Sequence, residues 1–179
     1  MKAIFYPATL DIEGLTVADA IVYSQTLYLS LWDTSDTFTK EGGFTVSTHS
    51  NLGAVQFGCS ITESIYKDVN LSRRQYYNSK KKLFETGYFC TEGIVLVDGV
   101  TDSFFELKTT TGLNGLRLVI YSYLANKSAK YGWIDKYHYA IAMELGIDQR
   151  VFQRNLAELK EMGLIRTKSH NNQTLLQTI

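Results

Sequence analysis

Two stretches that align without a gap decide the fold: Ile65–Phe89, IYKDVNLSRRQYYNSKKKLFETGYF, and Ile141–Ile165, IAMELGIDQRVFQRNLAELKEMGLI. Five aligned pairs are identical: Ile65/Ile141, Arg74/Arg150, Leu83/Leu159, Glu85/Glu161 and Gly87/Gly163. The structural signals in the two stretches agree more closely than the residue identities do. An internal repeat of this kind predicts that the chain contains two copies of one structural unit.

Each copy carries the signals of two helices joined by a tight turn. A short apolar-periodic segment ends at a residue that tolerates left-handed backbone, Asn70 or Gly146. A helix N-cap follows, Ser72 or Asp148, and in the first copy Gln75 stands where a capping box requires it. The pattern predicts a helix-turn-helix in each copy.

A β-rich stretch follows each second helix, which is about 13 residues long and ends at Gly87 or Gly163. Alternating residues and turn signals predict a hairpin, or wing, in each copy. The predicted strands and turns are Tyr88–Thr91 and Ile94–Val97 around Glu92-Gly93, and Leu164–Lys168 and Thr174–Ile179 around His170-Asn171-Asn172. Ser103–Leu107 is a further candidate strand.

A third helix precedes each copy. Thr16 and Asp19 cap the first of these helices, and Ile21–Ser24 within it is similar to Val119–Ser122 in the second. A short strand is predicted next, at Trp133-Ile134 in the second copy and at Phe44–Ser47 in the first. For 48–59, an additional short helix and an ordered loop both remain open.

These elements predict an α+β fold, mainly α, made of two tandem winged helix-turn-helix units with three helices and a β-hairpin wing each. The first unit covers residues 1–110 with an insertion at 32–60, and the second covers 111–179. Because the segment at 108–114 is short and rich in threonine, we expect the two units to pack together.

Composition places the chain among globular proteins. Of its 179 residues, 45% are hydrophobic and 20% are charged. The start of the chain lacks the apolar region of a signal peptide, and no apolar run is long enough to cross a bilayer. Cys59 and Cys90 form no metal-like pair, so we expect a cytoplasmic protein with reduced thiols.

Charge is segregated along the chain, although the net charge is zero. Between Ser72 and Phe84 five residues are basic and none is acidic: Arg73, Arg74, Lys80, Lys81 and Lys82. From Glu92 to Glu106 the charged residues are all acidic: Glu92, Asp98, Asp102 and Glu106. We expect the first wing to avoid DNA and the second helix of the first unit to approach it.

In a helix-turn-helix the second helix faces the major groove, which gives a set of candidate DNA contacts. In the first unit these are Arg73, Arg74, Gln75, Tyr77, Asn78, Lys81 and Lys82. In the second unit they are Gln149, Arg150, Gln153 and Arg154 on the second helix, together with Arg166 and Lys168 in the wing. The alternative is that these are ordinary solvated faces. Lys80 departs from the pattern, because it occupies the core position that Leu156 fills in the second copy.

The tandem arrangement resembles the replication initiators of plasmids and phages. The resemblance includes the stretch Leu15–Thr45, where a capped helix runs through Ala20-Ile21-Val22-Tyr23 and Gly43-Phe44-Thr45-Val46 follows. It implies recognition of origin DNA and recruitment of replication proteins. It is a resemblance of architecture and is specific to no single family.

Enzyme chemistry finds little support in the sequence. The three histidines have no partner at metal-ligand spacing, and no HExxH, P-loop or GxGxxG motif occurs. We therefore expect no catalytic, metal or cofactor residues. The predicted partners are double-stranded DNA and replication or transcription proteins, with no membrane; homodimerisation remains open. The alternative function is a winged-helix scaffold that binds proteins, of the chromosome-segregation kind.

Overall fold

The computed structural model describes residues 2–33, 54–55, 65–91, 93–100, 103–170 and 173–179. Within these residues the chain is mixed α+β and mainly helical. The helices are α1 (Val17–Asp33), α2 (Ile65–Asp68), α3 (Arg73–Glu85), α4 (Gly115–Tyr131), α5 (His138–Glu144) and α6 (Gln149–Glu161). The strands are β1 (Ile4–Phe5), β2 (Ala54–Val55), β3 (Ile94–Val95), β4 (Phe105–Glu106), β5 (Ile165–His170) and β6 (Gln173–Thr178). The strand predicted at Phe44–Ser47 lies outside the described residues.

The first helix of each half matches the other in length, since α1 and α4 both have 17 residues. At the start of α1 the Thr16 N–H donates to Oδ2 of Asp19 at 2.7 Å, and the Asp19 N–H donates to Oγ1 of Thr16 at 3.3 Å. These reciprocal bonds satisfy two N–H groups that a helix start leaves without partners. The cap predicted from Thr16 and Asp19 is confirmed.

The turns between α2 and α3 and between α5 and α6 have the same backbone geometry. Asn70 and Gly146 adopt left-handed φ values of 55° and 65°. In each turn the next N–H reaches back five residues, from Leu71 to the Tyr66 carbonyl and from Ile147 to the Ala142 carbonyl, both at 3.0 Å. This is the hydrogen-bond pattern of a helix ending in a left-handed residue, as the sequence predicts.

Small sheets follow the same order in both halves. In the second half β5 pairs with β6, and Ile134 bridges to Leu176 of β6 as a third strand segment. In the first half Phe89 bridges to Ile94 of β3, and β2 pairs with the other side of β3. The second hairpin is confirmed, whereas the first is shorter than predicted because pairing of Phe89 with β3 is limited to one bridge.

The strand within Ser103–Leu107 has a different partner from the wing. This strand, β4, pairs antiparallel with β1, with Ile4 opposite Glu106 and Phe5 opposite Phe105. Each strand precedes a 17-residue helix, β1 before α1 and β4 before α4, so β4 is grouped with the second half although it lies within residues 1–110, the predicted first unit. The Tyr6 N–H donates to Oγ of Ser24 in α1 at 3.2 Å, and the Lys108 N–H donates to Oγ of Ser122 in α4 at 2.8 Å. Equivalent segments of the two halves therefore pair with each other.

The turn of each half also touches the segment that precedes the first helix of the other half. Nδ2 of Asn70 donates to the carbonyls of Thr109 and Leu113, at 2.7 and 2.9 Å. In the reverse direction, the Asp11 carboxylate lies so close to Gly146 that a Cβ at this glycine would overlap it. We call this set of contacts, with the β1–β4 pair, the seam.

One hydrophobic core extends through both halves, as expected for units that pack together. It includes Phe5 and Tyr23 from the first half, and Leu118 and Phe152 from the second half. The ring of Phe105 contacts both Phe5 and Tyr123, with 5.6 and 5.7 Å between ring centroids. No helix in the described parts of the chain has the length and apolar character needed to span a bilayer.

Substitution of Asn70 tests the seam. Asn70→Asp is expected to lower the free energy of unfolding by about 1–3 kcal/mol, because a carboxylate would face two carbonyl oxygens that now accept hydrogen bonds. Asn70→Gly is expected to lower it less, because glycine fits the left-handed backbone and leaves both carbonyls accessible to water. Urea denaturation followed by circular dichroism measures both, and equal losses for the two variants would contradict a role for the amide donor.

Candidate nucleic-acid interface

Helix α3 separates its core side from its solvent side along its whole length. Ser72 and Gln75 form the predicted capping box at its start. Tyr76, Ser79 and Leu83 are buried against the core. Six of the seven predicted contacts on this helix are exposed: Arg73, Arg74, Gln75, Tyr77, Asn78 and Lys81. These six side chains share the solvent side of a single short helix.

Local contacts organise the exposed side of α3. The Arg73 guanidinium lies 5.6 Å from the ring centroid of Tyr77, within the range of a cation–π interaction. Lys81 and Glu85, one turn apart, form an ion pair at 3.6 Å, and both side chains are exposed. An exposed pair of this kind contributes little stability, so it leaves the Lys81 ammonium available to other anions.

Lys82 is placed differently from the other predicted contacts. Its Nζ lies 3.0 Å from Oδ2 of Asp19, the same carboxylate that caps α1. The Asp19 side chain is 4% exposed and that of Lys82 is 35% exposed. Burial alone would raise the pKa of Asp19, but hydrogen bonds from Ser79, Thr16 and Lys82 outweigh burial and hold it below the ordinary range. The contact ties α3 to α1.

The second half has an ion pair in the corresponding place with the charges exchanged. Nη1 of Arg117 in α4 lies 3.3 Å from Oε2 of Glu158 in α6. Arg117 corresponds to Asp19 in the alignment of the first helices, and Glu158 corresponds to Lys82 in the alignment of the repeat. Both of these side chains are partly exposed, so this pair is weaker than its counterpart.

Helix α6 repeats the arrangement of α3 with a less basic surface. The Asp148 carboxylate accepts hydrogen bonds from the N–H groups of Arg150 and Val151, which confirms the predicted cap. The buried side of the helix consists of Phe152, Asn155, Leu156 and Leu159. The predicted contacts Gln149, Arg150, Gln153 and Arg154 are all exposed. Leu156 of α6 is buried, whereas Lys80, at the equivalent position of α3, is half-buried.

The predicted wing contacts Arg166 and Lys168 lie on β5 and are exposed. Both cations lie over the ring of Trp133, at 5.3 and 4.4 Å from its centroid. Oε1 of Gln177 on β6 accepts from Nε and Nη2 of Arg166, at 3.0 and 2.8 Å. The sequence pattern at Trp133-Ile134 predicts a short strand and gives no other role to Trp133. Its position next to the buried Ile134 was the signal that it faces the opposite side of the sheet.

The acidic segment after α3 extends beyond the first wing. Glu106 belongs to β4 at the seam, where its carboxylate lies 3.9 Å from Nζ of Lys2 and 3.2 Å from Nζ of Lys108. Asp98 is exposed, and Glu92 and Asp102 lie outside the described residues. Glu106 therefore lies outside the first wing, because it pairs with Ile4 of β1.

Side chains that could perform chemistry are scattered. His138 packs edge-on against Phe152, and burial lowers its pKa. Among the described residues, no three His, Cys, Asp or Glu side chains come together as a possible metal site. What the described surface offers is a set of cations, amides and aromatic rings on α3, α6 and β5.

Removal of the Lys82 ammonium tests the tie between α3 and α1. Lys82→Met is expected to lower the free energy of unfolding at neutral pH by about 1–2 kcal/mol, because Asp19 stays buried and loses one donor. Because the folded-state pKa of Asp19 is depressed, its contribution is present at neutral pH and is lost as the pH falls through that pKa. The loss caused by Lys82→Met should therefore shrink in acid.

Lys81→Met is the matched control. It also removes a lysine ammonium group, but from the neighbouring position, where the side chain is exposed. It is expected to change the free energy of unfolding by less than about 0.5 kcal/mol. Urea denaturation at neutral and acidic pH gives both values. Equal effects of the two substitutions at neutral pH would contradict the assignment.

No protein-family model, no curated protein and no solved structure matches this chain.

Proposed function

We propose that each half is a winged helix-turn-helix unit and that the chain binds double-stranded DNA without acting as an enzyme. The order of elements supports the first part. In each half a long helix, a strand segment, a short helix, a 13-residue helix and a hairpin follow one another. In each half one strand has two partners. β6 pairs with β5 and with Ile134, and β3 pairs with β2 and with Phe89.

The exposed face of α3 is the observation that carries the DNA proposal. A helix of 13 residues is about 20 Å long and fits the major groove. Arg74, Gln75 and Asn78 have side chains that form paired hydrogen bonds with base edges. Lys81 supplies a positive charge for a phosphate. Solvated helix faces usually mix both signs, and here the first acidic residue of the helix is Glu85 at its end.

The second half supplies further contacts in this proposal. Arg150 and Arg154 lie on the exposed side of α6, and Arg166 and Lys168 extend the positive surface along β5. Lys82 contributes less than Lys81, because the Asp19 carboxylate already neutralises it. One chain then carries two DNA-reading units, as a dimer of single units would.

Replication initiation of the plasmid or phage type, or transcription regulation, is the proposed role of this binding. The support is the tandem arrangement of the two halves and the resemblance described above. Recruitment of replication or transcription proteins belongs to the same proposal.

A protein-binding scaffold is the second candidate, because the second half exposes apolar groups. Tyr137 and Tyr139 stack at 5.7 Å between centroids, and both are more than half exposed. Met143 on the same short helix is 76% exposed. Exposed apolar groups that lie together often mark contacts between proteins.

Binding isotherms on duplex DNA test the proposal. A preferred duplex is first selected from a random pool and then compared with unselected duplex at several salt concentrations. Arg74→Ala is expected to cost about 1–3 kcal/mol on the preferred duplex and less on unselected duplex, because only the former offers its guanine contact. Lys81→Ala is expected to weaken binding to both and to flatten the log–log salt slope by about one unit.

Lys2→Ala is the control for loss of charge, because it removes one exposed cation far from α3 in the sequence. It should leave the preference for the selected duplex unchanged. Wild-type protein that shows no salt-dependent binding to any duplex would remove the DNA proposal and leave the scaffold.

A further inference from the structure

A cleft lies beside the hairpin of the second half, away from the residues of α3. It encloses about 370 Å³ and is lined by Tyr123, Lys127, Tyr131, Trp133, Ile134, Asp135 and Lys136. A volume of this size lies within the range of small-ligand sites, which begins at about 300 Å³. Three of the seven lining residues are aromatic and two are lysines. Flat apolar walls beside ammonium groups suit a planar group that is joined to an anion.

Tyr123 contributes a buried ring to the cleft, since it is only 3% exposed. Burial, and then the nearby Glu144 carboxylate, raise the pKa of Tyr123, so the hydroxyl keeps its proton. The uncharged Tyr123 side chain therefore adds an aromatic wall and no negative charge to the cleft.

Cations surround the aromatic rings of the cleft. Four of them lie over a ring centroid: Lys127 over Tyr123 at 5.3 Å, Lys130 over Tyr131 at 5.1 Å, and Arg166 and Lys168 over Trp133. With Lys136 this makes five cations, against the carboxylates of Asp135 and Glu144. Glu144 pairs with Lys127 at 3.2 Å and also with Lys136. The remaining charge around the cleft is positive.

The positive surface is longer than the cleft itself. Arg166 and Lys168 continue along β5, and Lys130 and Tyr131 continue at the end of α4, where Tyr131 is 61% exposed. A free nucleotide would fill the cleft and leave these groups unused. A chain with repeated bases and phosphates would use both the cleft and its extensions.

We propose that this surface binds single-stranded DNA, with one base stacked against Trp133 and Tyr131 in the cleft and neighbouring phosphates on the surrounding cations. Base stacking on aromatic rings combined with a positive track is how proteins hold single strands with little sequence preference. The cations over Trp133 belong to long exposed side chains, which can move from the ring to a phosphate when a base arrives. The inference does not depend on duplex binding by α3.

The test uses a fluorescein-labelled oligonucleotide of twelve thymidines and fluorescence anisotropy. Trp133→Leu and Tyr131→Ala are each expected to weaken its binding about tenfold, the effect of losing one stacked base. Tyr139→Ala is the matched control, because it removes an equally exposed tyrosine of the same half that does not line the cleft. It should leave affinity within about twofold, which is the size of ordinary surface effects.

Intrinsic fluorescence gives an independent measurement, because Trp133 lines the cleft. The oligonucleotide is expected to quench the emission of wild-type protein and not that of Trp133→Leu. Circular dichroism checks that each variant is folded. If Trp133→Leu fails to fold, Tyr131→Ala and Lys136→Gln provide the comparison at exposed or partly exposed positions.

Further measurements distinguish a nucleotide from a single strand as the ligand of the cleft. They also separate single-strand binding at the cleft from duplex binding by α3. Thymidine monophosphate that binds as tightly as the oligonucleotide would overturn the inference in favour of a nucleotide site. Unchanged oligonucleotide affinity in the cleft variants would overturn it outright. Arg74→Ala should lose duplex preference and keep single-strand binding, whereas Trp133→Leu should do the reverse, so failure of one proposal is visible without the other.

Discussion

Pairing between β1 and β4 determines how the rest of the molecule is arranged. Two strands of two residues are too short to be stable by themselves, so the pair depends on the burial of Phe5 and Phe105, whose rings lie 5.6 Å apart. Asn70 reaches across to the second half, and Asp11 packs on Gly146 in return. Contacts of this reciprocal kind are typical of symmetric dimers, where equivalent surfaces meet. Here they orient the first helix of each half, and therefore the surfaces of α3 and α6.

Much of the local structure could be predicted from the sequence because its causes are local. The Ser72 and Asp148 caps, the left-handed turns at Asn70 and Gly146 and the hairpin after α6 each depend on residues within a few positions of one another. The exposed side of α3 followed from the same periodicity. A helix of known start and length has only one face left for solvent once its apolar residues are buried.

Long-range pairing could not be predicted in this way. Ile4 and Glu106 are about a hundred residues apart, and neither strand is long enough to show an alternating pattern. Asp19 and Lys82 each had a sufficient local explanation, as a cap and as a surface cation, and only packing of α3 on α1 brings them together. The contacts of Trp133 could not be predicted for a similar reason, since the cations over its ring come from the hairpin that follows α6.

The exchanged polarity of the two ion pairs disfavours misassembly of the two halves during folding. Neighbouring repeats are prone to misassembly, in which one repeat docks the helix that belongs to the other. If α6 were to take the place of α3, Glu158 would meet Asp19, and Arg117 would in turn receive Lys82. Both mismatched contacts are repulsive, and the one at Asp19 would bury two carboxylates together. Each long helix thus carries a charge that favours its own partner over the corresponding helix of the other half.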